Sequence, residues 1–401
     1  MQSKIRLAIT SLLISLSVFF VPLAKAAPGD LDPTFGTGGI AIDITFTSSV
    51  KIRKVLLQPD GKIIVVGSKK IPLIIGQDPL DYLFVRRYTS TGAIDTTYPT
   101  SMRGVGADAE VQADGKLVVL GRAPNTVSSI FGSVDTSSPV VWRFNANGTI
   151  DTGFGSNGST FLNSTEFGNY HIEVFAGNTF IAYASRSPFF ISTPSYRVAK
   201  LSPSGTIDFT ITPPFTYNAD EKAFSMKVDP SNGDIVVGGT SNVDQNTVLR
   251  RYTQNGAVVS AFGLNGAAPV PDCSRPEPSE LLIKDLIIQP DGKILVHRIT
   301  GPSSWGHINI SRQTSNGVAD GLCTWAFGPP YLGPDLFLQP DGKYFYFLGV
   351  FSAAVRYFPD GTQDVNFVHL ALNPAVIQPD QKWVRATTGD GAITLERRLL
   401  D

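Results

Sequence analysis

Apolar residues along this chain gather in short runs rich in Val, Ile, Thr and Phe, such as Ile63-Ile64-Val65-Val66, and polar clusters built on Gly, Asp and Pro separate them. Short runs bounded by turn residues predict strands rather than helices. Two motifs then recur in strict alternation. The first is an apolar run, a turn of the type Gln58-Pro59-Asp60-Gly61-Lys62, and a second apolar run. It returns at Gln112 to Lys116, Gln289 to Lys293 and Gln339 to Lys343, then at Gln378-Pro379-Asp380 with Gln381 in place of Gly. Looser copies lie at Asp229 to Gly233 and around Ala176-Gly177-Asn178, which brings the total to seven.

The second motif is a strand with a basic residue followed by Gly-x-(Ile/Leu)-Asp and often Phe-Gly. Gly92-Ala93-Ile94-Asp95, Gly148-Thr149-Ile150-Asp151 and Gly205-Thr206-Ile207-Asp208 are close copies, and Gly256, Gly317 and Gly361 open weaker ones. The seventh copy, Gly29-Asp30-Leu31-Asp32 with Phe35-Gly36, stands near the N-terminus, whereas the chain ends after Arg398 where that copy is due. Asp-Gly between β-rich runs supplies the positive φ of a tight hairpin, so each motif reads as strand-turn-strand. One repeat is then four antiparallel strands, A to D, over about 50 to 60 residues, the size of a propeller blade. A repeat split between the termini predicts a closed ring in which the N-terminal strand completes the last blade; an open solenoid gives the split no purpose.

The expected fold is therefore an all-β, seven-bladed β-propeller. Blade 1 spans about 50–106, blade 2 107–166, blade 3 167–220, blade 4 221–272, blade 5 273–331, blade 6 332–372, and blade 7 373–401 plus 29–46. The alternation of Gln-Pro-Asp-Gly-Lys with Arg-x-x-x-x-Gly-x-Ile-Asp-x-x-Phe-Gly resembles the delta-60 repeat of bacterial secreted β-propeller proteins. That resemblance covers essentially all of residues 27–401 and implies a propeller fold and export; it brings no catalytic residues. Blade 3, without Pro-Asp, and blade 7, with Gln381, depart from the pattern at their turns.

Residues 1–26 read differently from the rest. Lys4 and Arg6 precede an apolar run from Leu7 to Phe20, and Ala24-Lys25-Ala26 is a small-x-small cleavage pattern, so a signal peptide cut after Ala26 and a secreted or periplasmic protein are expected. The run falls short of the ~20 residues of a spanning helix, and no later stretch is long enough. Loss of Lys4, Arg6 and Lys25 leaves a chain near about −4, which argues against a nucleic-acid partner.

Five residues before each second-motif Gly stands a cation: Arg87, Arg143, Lys200, Arg251, Arg312 and Arg356, with Arg398 placed in register at the C-terminus. Three residues after it stand Asp95, Asp151, Asp208, Asp320, Asp364 and Asp32, with Val259 the exception. Each cation would pair with a turn carboxylate of its own or the next blade; a basic ring holding an anion is the alternative. The turn Asp residues read as hairpin caps, because the closely spaced oxygens of a calcium loop are missing.

His-Glu-x-x-His, Gly-x-Ser-x-Gly and phosphate-loop motifs are absent from the sequence. Asp108, Asp285 and Asp335, four residues before a motif Gln and in one column with Lys54 and Ser225, could converge on calcium or another divalent cation in the central channel. That would suit a hydrolase or lyase; otherwise they solvate the channel mouth, and no cofactor is needed. Cys273 and Cys323 both lie in departures from the repeat and are expected to form a disulfide bracketing blade 5.

The A–B and C–D turns share one face of the ring and are uniform, whereas the B–C and D–A connections on the other face vary in length and content. Variable loops on a rigid ring are the expected binding face. Phe131, Phe189, Phe190, Trp305 and His307 are its candidate contacts, for a protein or a glycan. The expectation is a monomeric, non-enzymatic binding scaffold.

Overall fold

The computed structural model describes residues 29–45, 50–71, 80–98, 101–129, 132–162, 170–185, 195–215, 224–241, 246–271, 273, 281–300, 306–328, 336–348, 353–367, 369–370, 375–389 and 392–400. They form seven antiparallel sheets of four strands. In order A to D, blade 1 is Val50–Leu57, Ile63–Ile71, Leu80–Tyr88 and Ser101–Arg103; blade 2 is Val105–Val111, Leu117–Ser129, Gly132–Phe144 and Ser159–Phe161. Blade 3 is His171–Phe175, Asn178–Ser185, Ser195–Leu201 and Ile207–Ile211, and blade 4 is Ser225–Val228, Ile235–Thr240, Thr247–Tyr252 and Ala267–Pro269. Blade 5 follows with Leu281–Ile288, Ile294–Thr300, Gly306–Gln313 and Ala319–Gly328, and blade 6 with Phe337–Leu338, Tyr344–Leu348, Ala353–Tyr357 and His369–Leu370. Blade 7 takes Ala375–Ile377, Lys382–Gly389 and Ala392–Leu399 from the C-terminus and Ile40–Asp43 from the N-terminus. Strand A of blade 1 packs on strands A and B of blade 7, so the ring is closed.

The core lies between blades, in seven clusters that each join two neighbours around the ring. This explains why strand B reads as an unbroken apolar run. In blade 1, Ile63 and Val65 pack toward blade 7 while Ile64 and Val66 pack toward blade 2, and all four are fully buried. The period of two therefore sorts side chains between two apolar neighbours instead of between core and water.

A polar device tightens six of the seven junctions. The guanidinium of Arg143 pairs with Asp151 of its own blade at 2.8 Å, donates to the Pro203 carbonyl of blade 3 at 2.6 Å, and lies over the Phe154 ring at 4.5 Å. Arg87 does the same with Asp95, the Ala146 carbonyl and Tyr98. Arg356 does so with Asp364, the Leu400 carbonyl and Phe367. Arg312 joins Asp320 to the Pro359 carbonyl. The motif Arg…Asp-x-x-Phe is thus a recipe for holding one guanidinium between an ion pair, a ring face and the next blade's turn. The motif Gln adds a second link: Gln58 Nε2 donates to the Gly115 carbonyl and Gln112 Nε2 to the Gly177 carbonyl.

Where the motif changes, the partners change with it. Blade 4 has Val259 in the Asp position, and Arg251 turns to Asp229 at 2.5 Å and Asp234 at 2.8 Å. Asp229 occupies the place that Gln holds in blades 1, 2, 5, 6 and 7. In blade 3, Lys200 sits 3.7 Å from Asp208, and the junction with blade 4 carries a stack of Tyr196 on Phe224, 4.4 Å between centroids. The two irregular turns also resolve. Ala176 and Gly177 form a two-residue turn with both φ positive, and Gln381 takes φ 61° where Gly61 has 81°.

At the C-terminus the register differs from the expectation. Arg397 lies opposite Val384, as Arg87 lies opposite Ile64 and Arg143 opposite Val118. Arg397 pairs with Asp32 at 2.8 Å and donates to the Ser90 carbonyl of blade 1 at 2.7 Å. Arg398 is one residue off and faces the other way, bonding Glu396 and the Gly29 carbonyl. With no second-motif Gly after it, counting had no anchor in this strand, and a slip of one residue exchanges the faces. Cys273 and Cys323 are joined, with Cα atoms 5.4 Å apart, and the bridge ties strand D of blade 5 to the segment leading into that blade. Closing a loop of that separation, 50 residues, contributes about 4 kcal/mol in the chain-entropy picture.

Adjacent arginines give a test of the register. Arg397→Met leaves the buried Asp32 with Lys382, 3.1 Å away, as its remaining ion-pair partner among the described residues, and should cost about 3 kcal/mol in urea unfolding. Arg398→Met, at a partly exposed pair, should cost about 1 kcal/mol or less. Equal losses would refute the assignment. Burial opposes ionisation of Asp32, but Thr34, Lys382 and Arg397 outweigh it and lower its carboxyl to about 2. Its contribution should therefore be complete above the ordinary carboxylate pKa and fade as pH falls from about 4 toward 2.

Candidate functional site

Strand A of every blade faces the axis, and all seven contribute to a cavity of about 580 Å³ in the central channel. Its lining falls into layers set by distance from the A–B turn. The residue before the turn's first position is apolar in every blade: Leu57, Val111, Val174, Val228, Ile288, Leu338 and Ile377 make an aliphatic collar. The next layer is Leu56, Glu110, Glu173, Lys227, Ile287, Phe337 and Val376. Blades 2 to 4 thus present a charged arc, and blades 5 to 7 and 1 an apolar arc across from it.

Two layers further on is the column that holds Asp108 and Asp285. In blades 1, 2 and 5 strand A shifts register just before this column, between Ile52 and Lys54, Gly106 and Asp108, and Ile283 and Asp285. Such a bulge re-aims the side chain that follows it. Lys54 reaches Asp108 of the next blade at 2.9 Å. Asp108 Oδ2 accepts from the Ile172 N–H of blade 3, and Oδ1 from the Ala109 N–H of its own strand. His171 bonds the Phe224 carbonyl of blade 4 at 2.8 Å. Asp285 accepts from its own Leu286 N–H and from the Leu336 N–H of blade 6 at 2.9 Å. In blades 1, 2, 3 and 5 the column clips one blade to the next. Burial opposes ionisation of Asp108, yet Lys54, His171 and the Ile172 N–H hold its carboxyl below the usual range. Among the described residues no three His, Cys, Asp or Glu side chains gather as a metal-binding group.

The charged arc is differently placed. Lys227 pairs with Glu173 at 2.5 Å, and burial, which would lower the lysine pKa, is outweighed by Glu173 and Asp285, which raise it. Glu110 lines the cavity beside them. Burial raises its carboxyl to about 7, with Glu173 and Asp108 adding to the rise and Lys54 and Lys227 opposing it. Glu110, Glu173 and Lys227 were passed over at the level of sequence. They share a column two residues before the turn's first position, but the repeat places Leu, Ile, Phe or Val there in the other blades, so no recurring charge drew attention to it.

Of the candidates on the variable loops, Phe131, Phe189, Phe190 and Trp305 lie outside the described residues, as does Asp335. His307 lies in strand C of blade 5, its backbone opposite Phe327.

Residues 112–154 match the family described as "Domain of unknown function (DUF5122) beta-propeller". No curated protein matches the chain in sequence. Among solved structures, virginiamycin B lyase from Staphylococcus aureus, crystallised with quinupristin, is 12% identical over 90% of this chain and 99% of that one, with a TM-score of 0.46. YCF48 from Cyanidioschyzon merolae is 11% identical over 89% and 98%, TM-score 0.46, and polysaccharide lyase Uly1 is 10% identical over 89% and 90%, TM-score 0.46. Likeness at this level carries no inference about activity.

A carboxyl held protonated to higher pH in the folded state stabilises fully below its ordinary pKa, and that contribution is lost as pH rises through the folded value. Glu110→Gln should therefore raise the melting temperature at pH 8 and leave it nearly unchanged at pH 4. A thermal scan at both pH values checks this, and an equal shift at the two would contradict the proton assignment.

Proposed function

We propose that the protein is an exported, monomeric delta-60-type propeller, non-enzymatic, that serves as a binding scaffold for a protein or a glycan through its B–C and D–A loop face. One observation carries this reading. The recurring arginines and aspartates of the turn face are committed to ion pairs and to the next blade's carbonyls, so the uniformity of that face has a mechanical cause. A ring fixed in that way is a rigid mount, and the connections that vary are the ones left to carry recognition. The disulfide supports residence in an oxidising compartment, in keeping with the signal-type N-terminus. The reading requires no cofactor.

Phe189, Phe190 and Trp305 replaced together by Ser should leave urea stability within about 0.5 kcal/mol. The same variant should lose at least about tenfold in affinity for a glycan or envelope protein selected on the wild-type protein, since aromatic anchors dominate such interfaces. Arg143→Met should do the reverse, losing stability while keeping affinity. If Arg143→Met loses the partner while folded and the loop variant keeps it, the binding face has been assigned to the wrong side of the ring.

A further inference from the structure

We propose that the central channel is a second binding site, for a small amphipathic organic monocation whose ammonium meets Glu110 and whose apolar body rests against Ile287, Phe337 and Val376. The cavity of about 580 Å³ is of the size that takes small ligands, and its lining, mostly apolar with a few polar groups on one side, is of the kind that orients them. The sign of the ligand follows from the charges that face Glu110. Lys54 of blade 1 is held by Asp108, and Lys227 of blade 4 by Glu173. Asp108 and Asp285 are further satisfied by backbone N–H groups. Among the described residues, four carboxylates, Asp108, Glu110, Glu173 and Asp285, stand in and just beyond the charged arc against Lys54 and Lys227, with His171 acting on Asp108, and Glu110 is the one of the four that makes no hydrogen bond or ion pair. An anion would meet lysines already neutralised.

The same arrangement disfavours a divalent metal. Calcium takes six to eight oxygens, and one free carboxylate in the layer beside an aliphatic collar does not provide them. A monocation asks for one carboxylate and leaves no second charge to bury. Its apolar part must be compact, because the collar runs around all seven blades and the opposing arc is aliphatic apart from Phe337. Burial keeps the Glu110 proton on to about 7, so an incoming ammonium would displace that proton and binding would be coupled to pH.

The test is calorimetric titration of the intact protein with three matched probes: cyclohexylmethylammonium, cyclohexylmethanol and cyclohexanecarboxylate. At pH 8 the ammonium should bind one to one and at least about tenfold more tightly than the alcohol, with the carboxylate weakest. At pH 5.5 the advantage of the ammonium over the alcohol should vanish while the alcohol is unchanged. Glu110→Gln at pH 8 should reduce the ammonium to the alcohol's level and leave the alcohol's affinity intact. The pH series on the unaltered protein makes the same test should that variant fold poorly. Equal binding of ammonium and alcohol at pH 8, no binding of the ammonium at millimolar concentration, or displacement of it by equimolar calcium would overturn the proposal. The Phe189, Phe190 and Trp305 variant should bind the ammonium as the parent does, which separates this site from the loop face.

Discussion

A propeller blade has apolar surface on both faces and no helix to cover either, so everything depends on the contact between one blade and the next. At six of the seven contacts in this ring it is fixed by a guanidinium that belongs to one blade and ends on the backbone of another. Dispersion and area alone would tolerate sliding of one twisted sheet over its neighbour, since apolar contact is not directional. A charge-assisted hydrogen bond to a carbonyl in the neighbouring turn does not tolerate it. In blades 1, 2 and 6 the aspartate neutralises the guanidinium where it is buried, and the aromatic ring beneath it excludes water and limits its rotation. Removing any of the three weakens the other two, which is why the motif repeats as a unit.

The architecture was legible because its causes are local. Asp-Gly at a hairpin needs positive φ wherever it occurs, and a run that is apolar at every position needs two apolar neighbours. Ring closure was legible from the displaced copy around Asp32. The register of Arg397 was not, since it depends on which face of an edge-bound strand meets Asp32, and the residue count could not see that contact. Blade 4 shows the same limit. Asp229 and Val259 look like two unrelated lapses in the pattern, but Arg251 exchanges one carboxylate for another and both changes serve a single guanidinium.

The channel was the least legible region. The acidic column at Asp108 and Asp285 stood out because its members recur, and both carboxylates accept an N–H group of the next blade. Glu110 stood out in nothing, because each position of its layer answers only to the blade it comes from. In a molecule made of copies, structural demands write themselves many times and a ligand's demands once. The residues that break a column, here three charged side chains in a layer otherwise aliphatic or aromatic, hold more information about chemistry than those that define it.

The closing strand has a consequence for how the ring comes together. Ile40–Asp43 pairs with Ala392–Leu399, so the first strand among the described residues to leave the ribosome must wait for the last before it has a partner. Loop entropy grows slowly with length, but it must be met before any closing contact forms, and topologies dominated by distant contacts fold slowly. Until then blade 7 presents an unpaired sheet edge and the first segment stays unattached. The bond from Arg397 to the Ser90 carbonyl then acts as a latch, and a chain truncated anywhere before it remains an open arc with two unpartnered blade faces, marked for aggregation or proteolysis.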